Sequence, residues 1–550
     1  MGGPAPAKAQ SVPKGFAVLS AAGIAVKVLS LIYVPFLLYL IGDEGNGIYA
    51  AAFQVYVLLY AVTNSGVPTA LSKLVSELTA KGEAYAANQA LRLTRTVLIA
   101  IGLALCGLLA IFHSSVAELI NYPKAGLSIL MMAPAFVFCA VSSSYRGFFQ
   151  GRGYMTPTAV SQVMEQVCNI AFSLLFASIL LPMGLEAACA GATVGTSIGA
   201  VVAAAFLIRS YRSNRHVYES VPHVMGGDAG AGPRTAWGAG ALLRRIGSYS
   251  VPIVLTIGLQ YAGNLIDVAV TKSRLMSGGF IEAEASQLYS HLYKYQQLLN
   301  APIAISAALA ATILPAVAAA IASGDREALN GRVGFAYKLC FSVTIPCMVG
   351  FTVLSGPIYG LLKYGDGSDL LMYGSACLVL LATVQIQTSI LQGLGRLYAV
   401  NRNLMLGIAA KIALNYLLVP IPGLNIKGAI IGSVFSYLIP IALNAATLKG
   451  HSRRNPGMAV DRGARVHLWK PLASSAYMGF IVFISHRLAC LALSFVPSPY
   501  AVEAIASVAA VAAGVASYLY FLRSFKGIDA EMLDMLPRRM ASKLARLIEK

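Results

Sequence analysis

The sequence predicts an all-α integral membrane protein with fourteen transmembrane helices, and three observations lead to this class. Of its 550 residues, 57% are hydrophobic and only 11% are charged, whereas about a quarter of the residues of an ordinary globular protein are charged. The mean hydropathy of +0.70 comes from apolar segments along the whole chain, most of them near the roughly 20 residues that a helix needs to cross a bilayer. Lysine and arginine are concentrated in alternate connecting loops. A soluble multidomain enzyme and an intrinsically disordered chain are therefore excluded.

The first predicted elements are a short cytoplasmic N-terminus, residues 1–14, and an N-terminal six-helix bundle, residues 15–208. The apolar segments of this bundle are 16–41, 48–72, 96–112, 126–149, 158–181 and 187–208. The first segment is too long for the hydrophobic region of a signal peptide, so we expect it to be retained as a membrane span.

A cytoplasmic linker, residues 209–245, separates this bundle from a second six-helix bundle, residues 246–448. Its Gly-rich stretch, 225–234, has the composition of a flexible segment. The apolar segments of the second bundle are 246–270, 289–320, 335–355, 371–394, 403–420 and 427–448.

The C-terminal part predicts a loop with two more helices, residues 449–522, and a basic cytoplasmic tail, residues 523–550. The two apolar segments are 470–489 and 499–522. From Asp529 onward, methionine and leucine alternate with arginine and lysine, which is typical of an amphipathic helix lying on an anionic membrane leaflet. A topology anchor and a partner-binding segment are both consistent with this pattern.

The basic charge of the chain follows the predicted topology. Its 41 Lys and Arg residues against 22 Asp and Glu give a formal net charge of +19. Alternate loops, beginning with the N-terminus, hold 32 of these cations, and the intervening loops hold six. We predict that the chain lies in the plasma membrane. By the positive-inside rule, both of its termini are predicted to be in the cytoplasm. Topology accounts for the excess charge, and we expect no nucleic-acid partner.

A weak internal repeat relates the two halves at an offset of about 242 residues. Gln150–Gly153 matches Gln392–Gly395 at the end of the fourth span of each half, and Ser115–Ile120 matches Gly356–Leu361. Because each half has an even number of spans, both halves begin on the same side of the membrane. The sequence therefore predicts two parallel-repeat bundles around a central cavity, which is a transporter architecture.

Five ionisable residues within the predicted spans are the candidate cavity residues. A charge at the centre of a bilayer costs roughly 2.5–3.5 kcal/mol on insertion scales, so such residues usually face water or a partner. The predicted substrate-binding set adds three amides at helical spacing from them: Lys27, Lys294, Lys411, Glu165, Asp267, Gln260, Asn264 and Asn415. Three cations would suit an anionic headgroup.

Other interpretations of these residues stay open. Lys294 and Asp267 could snorkel to the interface, Lys411 could pair with Asp267, and the amides could only join helices by hydrogen bonds. Asp267 with amide oxygens could also form a cation site, in which Lys411 would replace a bound sodium ion.

Prolines interrupt many spans and suggest points of bending. Gly66 and Pro68, and Pro302 in the second half, lie at similar places in the repeat and are the predicted hinges. A helix loses a backbone hydrogen bond at proline and bends there. The alternative is that proline is simply common in membrane helices.

We find no catalytic residues, no metal site and no cofactor site in the sequence. The eight cysteines show no paired spacing, and the seven histidines show neither His pairs at i,i+4 nor neighbouring carboxylates. A phosphate-binding loop of the G-x-x-x-x-G-K-[ST] type is missing from the sequence. We therefore predict a transporter rather than an enzyme.

Three motifs carry a family resemblance: Lys27–Ser30, Leu40–Tyr49 and Ser65–Glu77. With Tyr145–Gly151 and Leu391–Gly395 they resemble the polysaccharide-export and lipid-flippase branch of the multidrug/oligosaccharidyl-lipid/polysaccharide exporter superfamily, in particular the stage V sporulation protein B and MurJ-type lipid II flippase group. The resemblance implies two six-helix bundles around a V-shaped cavity, with helices 13 and 14 lining a groove for a lipid tail. Lys27 matches a basic cavity residue of the family, whereas Tyr33 and Tyr60 stand where the family has further basic residues.

The resemblance implies a flippase that moves an undecaprenyl-pyrophosphate-linked precursor, lipid II or a related lipid-linked oligosaccharide, to the outer leaflet by alternating access. Such a function would serve peptidoglycan synthesis, polysaccharide export, cell shape or sporulation. Its partners would be the lipid-linked glycan, membrane lipids and cell-wall synthesis enzymes. The alternatives are a proton- or sodium-coupled multidrug or cation antiporter of the same superfamily, and a non-transporting scaffold that acts through the basic tail.

Overall fold

The computed structural model describes residues 12–64, 66–214, 238–322, 326–454 and 467–527. All regular secondary structure in these ranges is helical. Most of the predicted linker, the cytoplasmic N-terminus up to residue 11 and the amphipathic tail from Asp529 lie outside them.

The chain divides into two compact units, Met1–Ser290 and His291–Lys550. The helices of the first unit are α1 (Val12–Asn64), α2 (Gly66–Ala80), α3 (Ala84–Leu119), α4 (Gly126–Met132), α5 (Ala135–Gly151), α6 (Met155–Leu180), α7 (Leu185–Ser213) and α8 (Ala239–Ser277). The next helix, α9 (Glu282–Ala322), begins in the first unit and continues into the second.

The helices that lie wholly in the second unit are α10 (Arg326–Val353), α11 (Ser355–Leu361), α12 (Ser368–Gly374), α13 (Ala376–Gly393), α14 (Leu397–Leu418), α15 (Lys427–Arg454), α16 (Trp469–Ala492) and α17 (Pro499–Ser524). The unit boundary at Ser290 falls beyond the predicted linker because α8 packs against α1 and α2. The predicted bundle limits therefore stay a prediction.

Each of the fourteen predicted apolar segments contains helix, but fewer than fourteen helices in the described part of the chain meet the length and hydropathy criteria for a membrane span. Among the described residues, ten helices are long and apolar enough to cross a membrane, or eleven if the bent pair formed by 123–132 and α5 is one span. Residues 21–79 count as one candidate although Gly42, with φ +65°, breaks α1 between the first two predicted spans. The α9 and α14 helices are not among the candidates. The all-helical, multi-span class is confirmed, and the count of fourteen stays a prediction.

In the first unit, α6 and α7 form a long antiparallel pair, and α5 packs against α2, α3 and α7. Buried side chains of α2, α3 and α5 meet in one apolar cluster that includes Leu71, Leu91 and Phe148. This packing buries the last turns of α5. Arg146, which lies in these turns, is the ion-pair partner of the predicted site residue Glu165 of α6.

In the second unit, α14 pairs with α15, α16 pairs with α17, and α10 packs against both α13 and α16. The Tyr518 hydroxyl of α17 donates to the Ser342 carbonyl of α10 at 2.8 Å. Large apolar side chains on α16 and α17, such as Phe480 and Val508, are more than 60% exposed. Such exposed faces are expected for helices whose solvent is lipid.

The helix ends at the repeat positions have the same geometry in the two units. Gly153 and Gly395 both have positive φ, +78° and +72°. The backbone nitrogens of 152, 153 and 154 donate to the carbonyls of 148, 150 and 149, and those of 394, 395 and 396 donate to the carbonyls of 390, 392 and 391. Each of the three backbone donors and three acceptors at the first helix end has its counterpart 242 residues later at the second.

A second pair of helix ends follows the same offset. Asn121 and Lys363 both have positive φ, +59° and +52°. Nitrogens of 120, 121 and 122 donate to carbonyls of 116, 118 and 117, and nitrogens of 362, 363 and 364 donate to carbonyls of 358, 360 and 359. The same bonds with a positive φ also end the helices at residues 81–83, 278–280 and 525–527, because they are a common helix-end motif. The internal duplication and the arrangement of the two repeats therefore stay a prediction.

Candidate functional site

Lys27 lies on an exposed face of α1. Its neighbours on that face, Ile24 and Val28, are also exposed, at 55% and 48%. A lysine among exposed apolar residues in a membrane span is unfavourable unless its ammonium reaches water or an anion. The placement is therefore compatible with the predicted contact to an anionic substrate.

Glu165 forms an ion pair that the sequence did not reveal. Its Oε2 lies 2.6 Å from an Nη2 of Arg146, whose side chain is 5% exposed. The same guanidinium donates through Nε to the Ser161 hydroxyl at 3.0 Å. Arg146, a cation that was not among the predicted site residues, lies within α5, and Glu165 of α6 is its counter-charge.

Asp267 and Asn264 lie on α8 with different burial. Asp267 is fully buried and Asn264 is half-buried, while the side chain of Gln260 lies outside the described residues. Of the three predicted polar residues on α8, only Asn264 and Asp267 are therefore described with their side chains.

A buried cation that was not among the predicted site residues lies five residues after Asp267 on α8. Lys272 is 1% exposed; its ammonium is 2.9 Å from Glu282 and 4.0 Å from the ring centre of Tyr122. The hydrogen bond from Lys272 holds the pKa of Glu282 below its ordinary value. Carboxylate and aromatic ring together compensate the burial of this ammonium.

Lys294 is buried in the second unit and is bound to backbone. Its ammonium donates to the carbonyl oxygens of Tyr364 at 2.6 Å and Asp366 at 3.2 Å, in the connection between α11 and α12. These bonds join α9 to the connection between α11 and α12, so Lys294 has a structural role besides the predicted contact with substrate.

Lys411 and Asn415 are both buried on α14, at 3% and 0% exposure. Gly432 of α15 lies against the Asn415 side chain, so a β-carbon at that glycine would collide with the amide oxygen. The predicted pair at i,i+4 thus lies on a side of α14 that includes the contact with α15.

The predicted hinges lie at close contacts. A β-carbon at Gly66, the first residue of α2, would meet the Ser250 carbonyl at 2.9 Å, and one at Gly147 would meet the Pro68 carbonyl at 2.7 Å. Pro302 is buried within α9. Bending at Gly66, Pro68 and Pro302 stays a prediction.

A polar cluster around the break in α1 was not among the predicted site residues. The buried Asn46 amide donates to the Ser290 hydroxyl at 2.8 Å, and this hydroxyl donates to Asp43 at 2.8 Å. Gly47 lies directly against the Ser286 carbonyl. The Leu40–Tyr49 motif, noted in the sequence only for its family resemblance, therefore connects α1 to the first turns of α9.

The described helices, with buried ion pairs and an exposed lysine in the first predicted span, define a multi-span helical membrane protein. The family model for polysaccharide biosynthesis proteins matches residues 12–320, more than half of the chain. The chain belongs to this family.

Relatives of known sequence cover most of the chain. It is 26% identical over 530 residues to the lipid II flippase MurJ of Bacillus subtilis, covering 92% of this chain and 94% of the relative. It is 27% identical over 463 residues to stage V sporulation protein B of the same organism, covering 80% and 84%. The predicted resemblance to this group is confirmed.

Solved structures show the same fold at low identity. A lipid II flippase MurJ in an inward closed conformation superposes with a TM-score of 0.64 at 15% identity and covers 92% of this chain and 98% of its own. An inward-facing multidrug resistance MATE family transporter of the MOP superfamily gives 0.59 at 15% identity, with 81% and 97% covered. The relatives found by sequence include a lipid II flippase, which is a transporter, so the prediction of a transporter rather than an enzyme is confirmed.

Proposed function

We propose that this chain is a flippase that moves an undecaprenyl-pyrophosphate-linked cell-wall precursor, lipid II or a related lipid-linked oligosaccharide, from the inner to the outer leaflet. The observation that carries the proposal is the similarity to a lipid II flippase along 92% of this chain and 94% of the relative. A sporulation role would follow from the similarity to stage V sporulation protein B.

The alternative, an ion-coupled multidrug or cation antiporter, has less support. The MATE transporter structure covers 81% of the chain, whereas the MurJ structure covers 92%. The intramembrane lysines also suit an anionic substrate better than a cationic drug.

Lys27 is the proposed contact for the pyrophosphate. It is exposed in the first span, and its ammonium would donate a charge-assisted hydrogen bond to a phosphate oxygen. The remaining proposed substrate-binding residues are Lys294, Lys411, Glu165, Asp267, Gln260, Asn264 and Asn415, and the proposed hinges are Gly66, Pro68 and Pro302.

The proposal places the chain in the bacterial plasma membrane with both termini in the cytoplasm. There the basic loops would face the anionic cytoplasmic leaflet. Cell-wall synthesis enzymes are proposed partners because they use the translocated precursor.

Complementation tests the function directly. The chain is expressed in cells depleted of their own lipid II flippase, and lipid II in the outer leaflet is measured. We expect growth and outer-leaflet lipid II to be restored. A well-expressed chain that restores neither would exclude lipid II as its substrate, and drug or cation efflux from the same cells would support the antiporter.

The role of Lys27 is tested in the same cells. Lys27→Ala should reduce outer-leaflet lipid II at least about tenfold, because a lost charge-assisted contact corresponds to about 1.5–3 kcal/mol. Lys27→Arg should retain part of the activity, and Lys81→Ala, which removes an exposed lysine at the turn after α2, should behave as the wild type. Full activity of Lys27→Ala at equal expression would contradict the assignment.

A further inference from the structure

The two C-terminal helices bring three metal-ligating side chains together. His486 and Cys490 lie one turn apart on α16, and Glu503 lies on α17 across the connection 493–498. One ligand atom from each residue lies within 4.8 Å of the others. The histidine search in the sequence looked for His pairs and nearby carboxylates along the chain, so it missed a His–Cys pair completed by a residue from the next helix.

The distances resemble those between ligands of one metal ion. His486 Nε2 lies 3.5 Å from Glu503 Oε1 and 4.0 Å from Cys490 Sγ. Bond lengths of about 2.0–2.3 Å at a tetrahedral Zn²⁺ place neighbouring ligand atoms roughly 3.3–3.8 Å apart. The distance from His486 to Glu503 lies in this range. The Cys490 sulfur, 3.9 Å from Nδ1 and 4.0 Å from Nε2 of the same ring, would have to turn toward Nε2 to become the third ligand.

Both helices are fixed next to the cluster. Ser498 caps α17 by accepting a hydrogen bond from the Ala501 nitrogen at 3.3 Å. The Tyr500 hydroxyl donates to the Leu361 carbonyl at 3.0 Å, which ties the start of α17 to α11. The nearest cation along α16, Arg487, lies with its guanidinium carbon 5.6 Å from the Phe483 ring centre. The start of α17, which carries Glu503, is therefore held by its own cap and by α11.

Without a metal, His486 and Glu503 would form an ion pair, with only a weak contact from the Cys490 thiol to the imidazole ring. Thiolate, imidazole and carboxylate together are a donor set that zinc prefers. We propose that His486, Cys490 and Glu503 bind one Zn²⁺ ion that joins α16 to α17 near their connection. Binding releases the thiol proton to solvent, because the thiolate is the ligand.

The test uses the purified full-length chain in detergent after treatment with a chelator, with Co²⁺ as the spectroscopic probe and Zn²⁺ as the competitor. We expect one Co²⁺ per chain with a thiolate-to-cobalt charge-transfer band that Zn²⁺ removes. Cys490→Ser should abolish the band, and His486→Ala and Glu503→Gln should each weaken binding at least about tenfold. Cys106→Ser, which changes a half-buried cysteine of α3, is the matched control and should bind as the wild type.

A second measurement does not depend on the variants folding. In the wild-type chain, Zn²⁺ should slow the reaction of Cys490 with a maleimide, measured on the peptide by mass spectrometry, and leave that of Cys106 unchanged. The proposal is overturned if no thiolate band forms, or if Zn²⁺ leaves the reactivity of Cys490 unchanged. Neither result would affect the transport proposal, which rests on other residues.

Discussion

At the scale of single residues, the charges within the predicted spans differ in how they are compensated. Arg146 and Glu165 pair side chain to side chain, Lys272 binds Glu282 and a tyrosine ring, and Lys294 binds backbone carbonyls. The sequence identified Lys294 and Glu165 as intramembrane charges, because a charge in an apolar run is conspicuous. It could not identify their partners, because these lie 19 or 70 residues away and meet only after helices pack.

The Arg146–Glu165 pair gives the prediction at this scale. Removing one partner of a buried pair leaves an uncompensated charge, at about 3–5 kcal/mol. Arg146→Met should therefore lower the melting temperature of the purified chain, and Glu165→Leu added to it should recover a large part of the loss. We would measure the thermal unfolding of the two single variants and the double variant. Additive losses would show that the two side chains do not act as a pair.

At the scale of elements, the α6–α7 pair depends on three glycines at intervals of four. β-Carbons at Gly191 and Gly199 would lie 2.5 Å from the Phe176 carbonyl oxygen and 2.6 Å from the Glu165 carbonyl oxygen, and one at Gly195 would overlap Ser173 and Asn169. Small residues at this spacing let membrane helices approach closely. The spacing is visible in the sequence, so this contact could have been predicted, unlike the ion pairs.

The corresponding prediction concerns Gly195. Gly195→Ala should destabilise the chain by about 1–3 kcal/mol, because the added methyl group forces two backbones apart. Gly107→Ala is the matched control: Gly107 lies within α3 with open space at the β-carbon position, and alanine favours helix there. Thermal unfolding of both variants in the same detergent checks the difference. Equal melting temperatures would contradict close packing at Gly195.

At the scale of the whole molecule, the sequence predicted helices well and crossings less well. Apolar runs of about 20 residues specify helix in a membrane because every backbone polar group must be satisfied internally. The α14 helix is ambiguous because polar residues such as Lys411 lower its mean hydropathy, whereas α9 includes residues, 307–312 and 318–320 among them, whose side chains lie outside the described part of the chain. The repeat, inferred from short matches at an offset of about 242, stays a prediction, because the equal hydrogen bonds at these helix ends also occur at helix ends outside the repeat positions.

The side of the membrane on which introduced cysteines lie would show whether α1 crosses the membrane twice and whether α9 and α14 cross it. Fourteen spans with the N-terminus inside place residues 81 and 398 inside and residues 183 and 495 outside. Tyr398, Met183 and Phe495 are 92%, 75% and 80% exposed, so cysteines there should be reactive. A membrane-impermeant maleimide applied to intact cells should label Met183→Cys and Phe495→Cys, but Lys81→Cys and Tyr398→Cys only after the cells are opened.

Each ambiguous helix has its own outcome in this experiment, because each added or missing crossing inverts every site after it. If α1 crossed once, Lys81→Cys would be labelled in intact cells. If α9 did not cross, Tyr398→Cys would be labelled from outside, and if α14 alone did not cross, Phe495→Cys would be protected. The unaltered chain, with seven of its eight native cysteines in predicted spans and Cys490 just after the segment 470–489, gives the background to subtract. The positive-inside count predicts protection at 81 and 398, since both lie in loops rich in lysine and arginine.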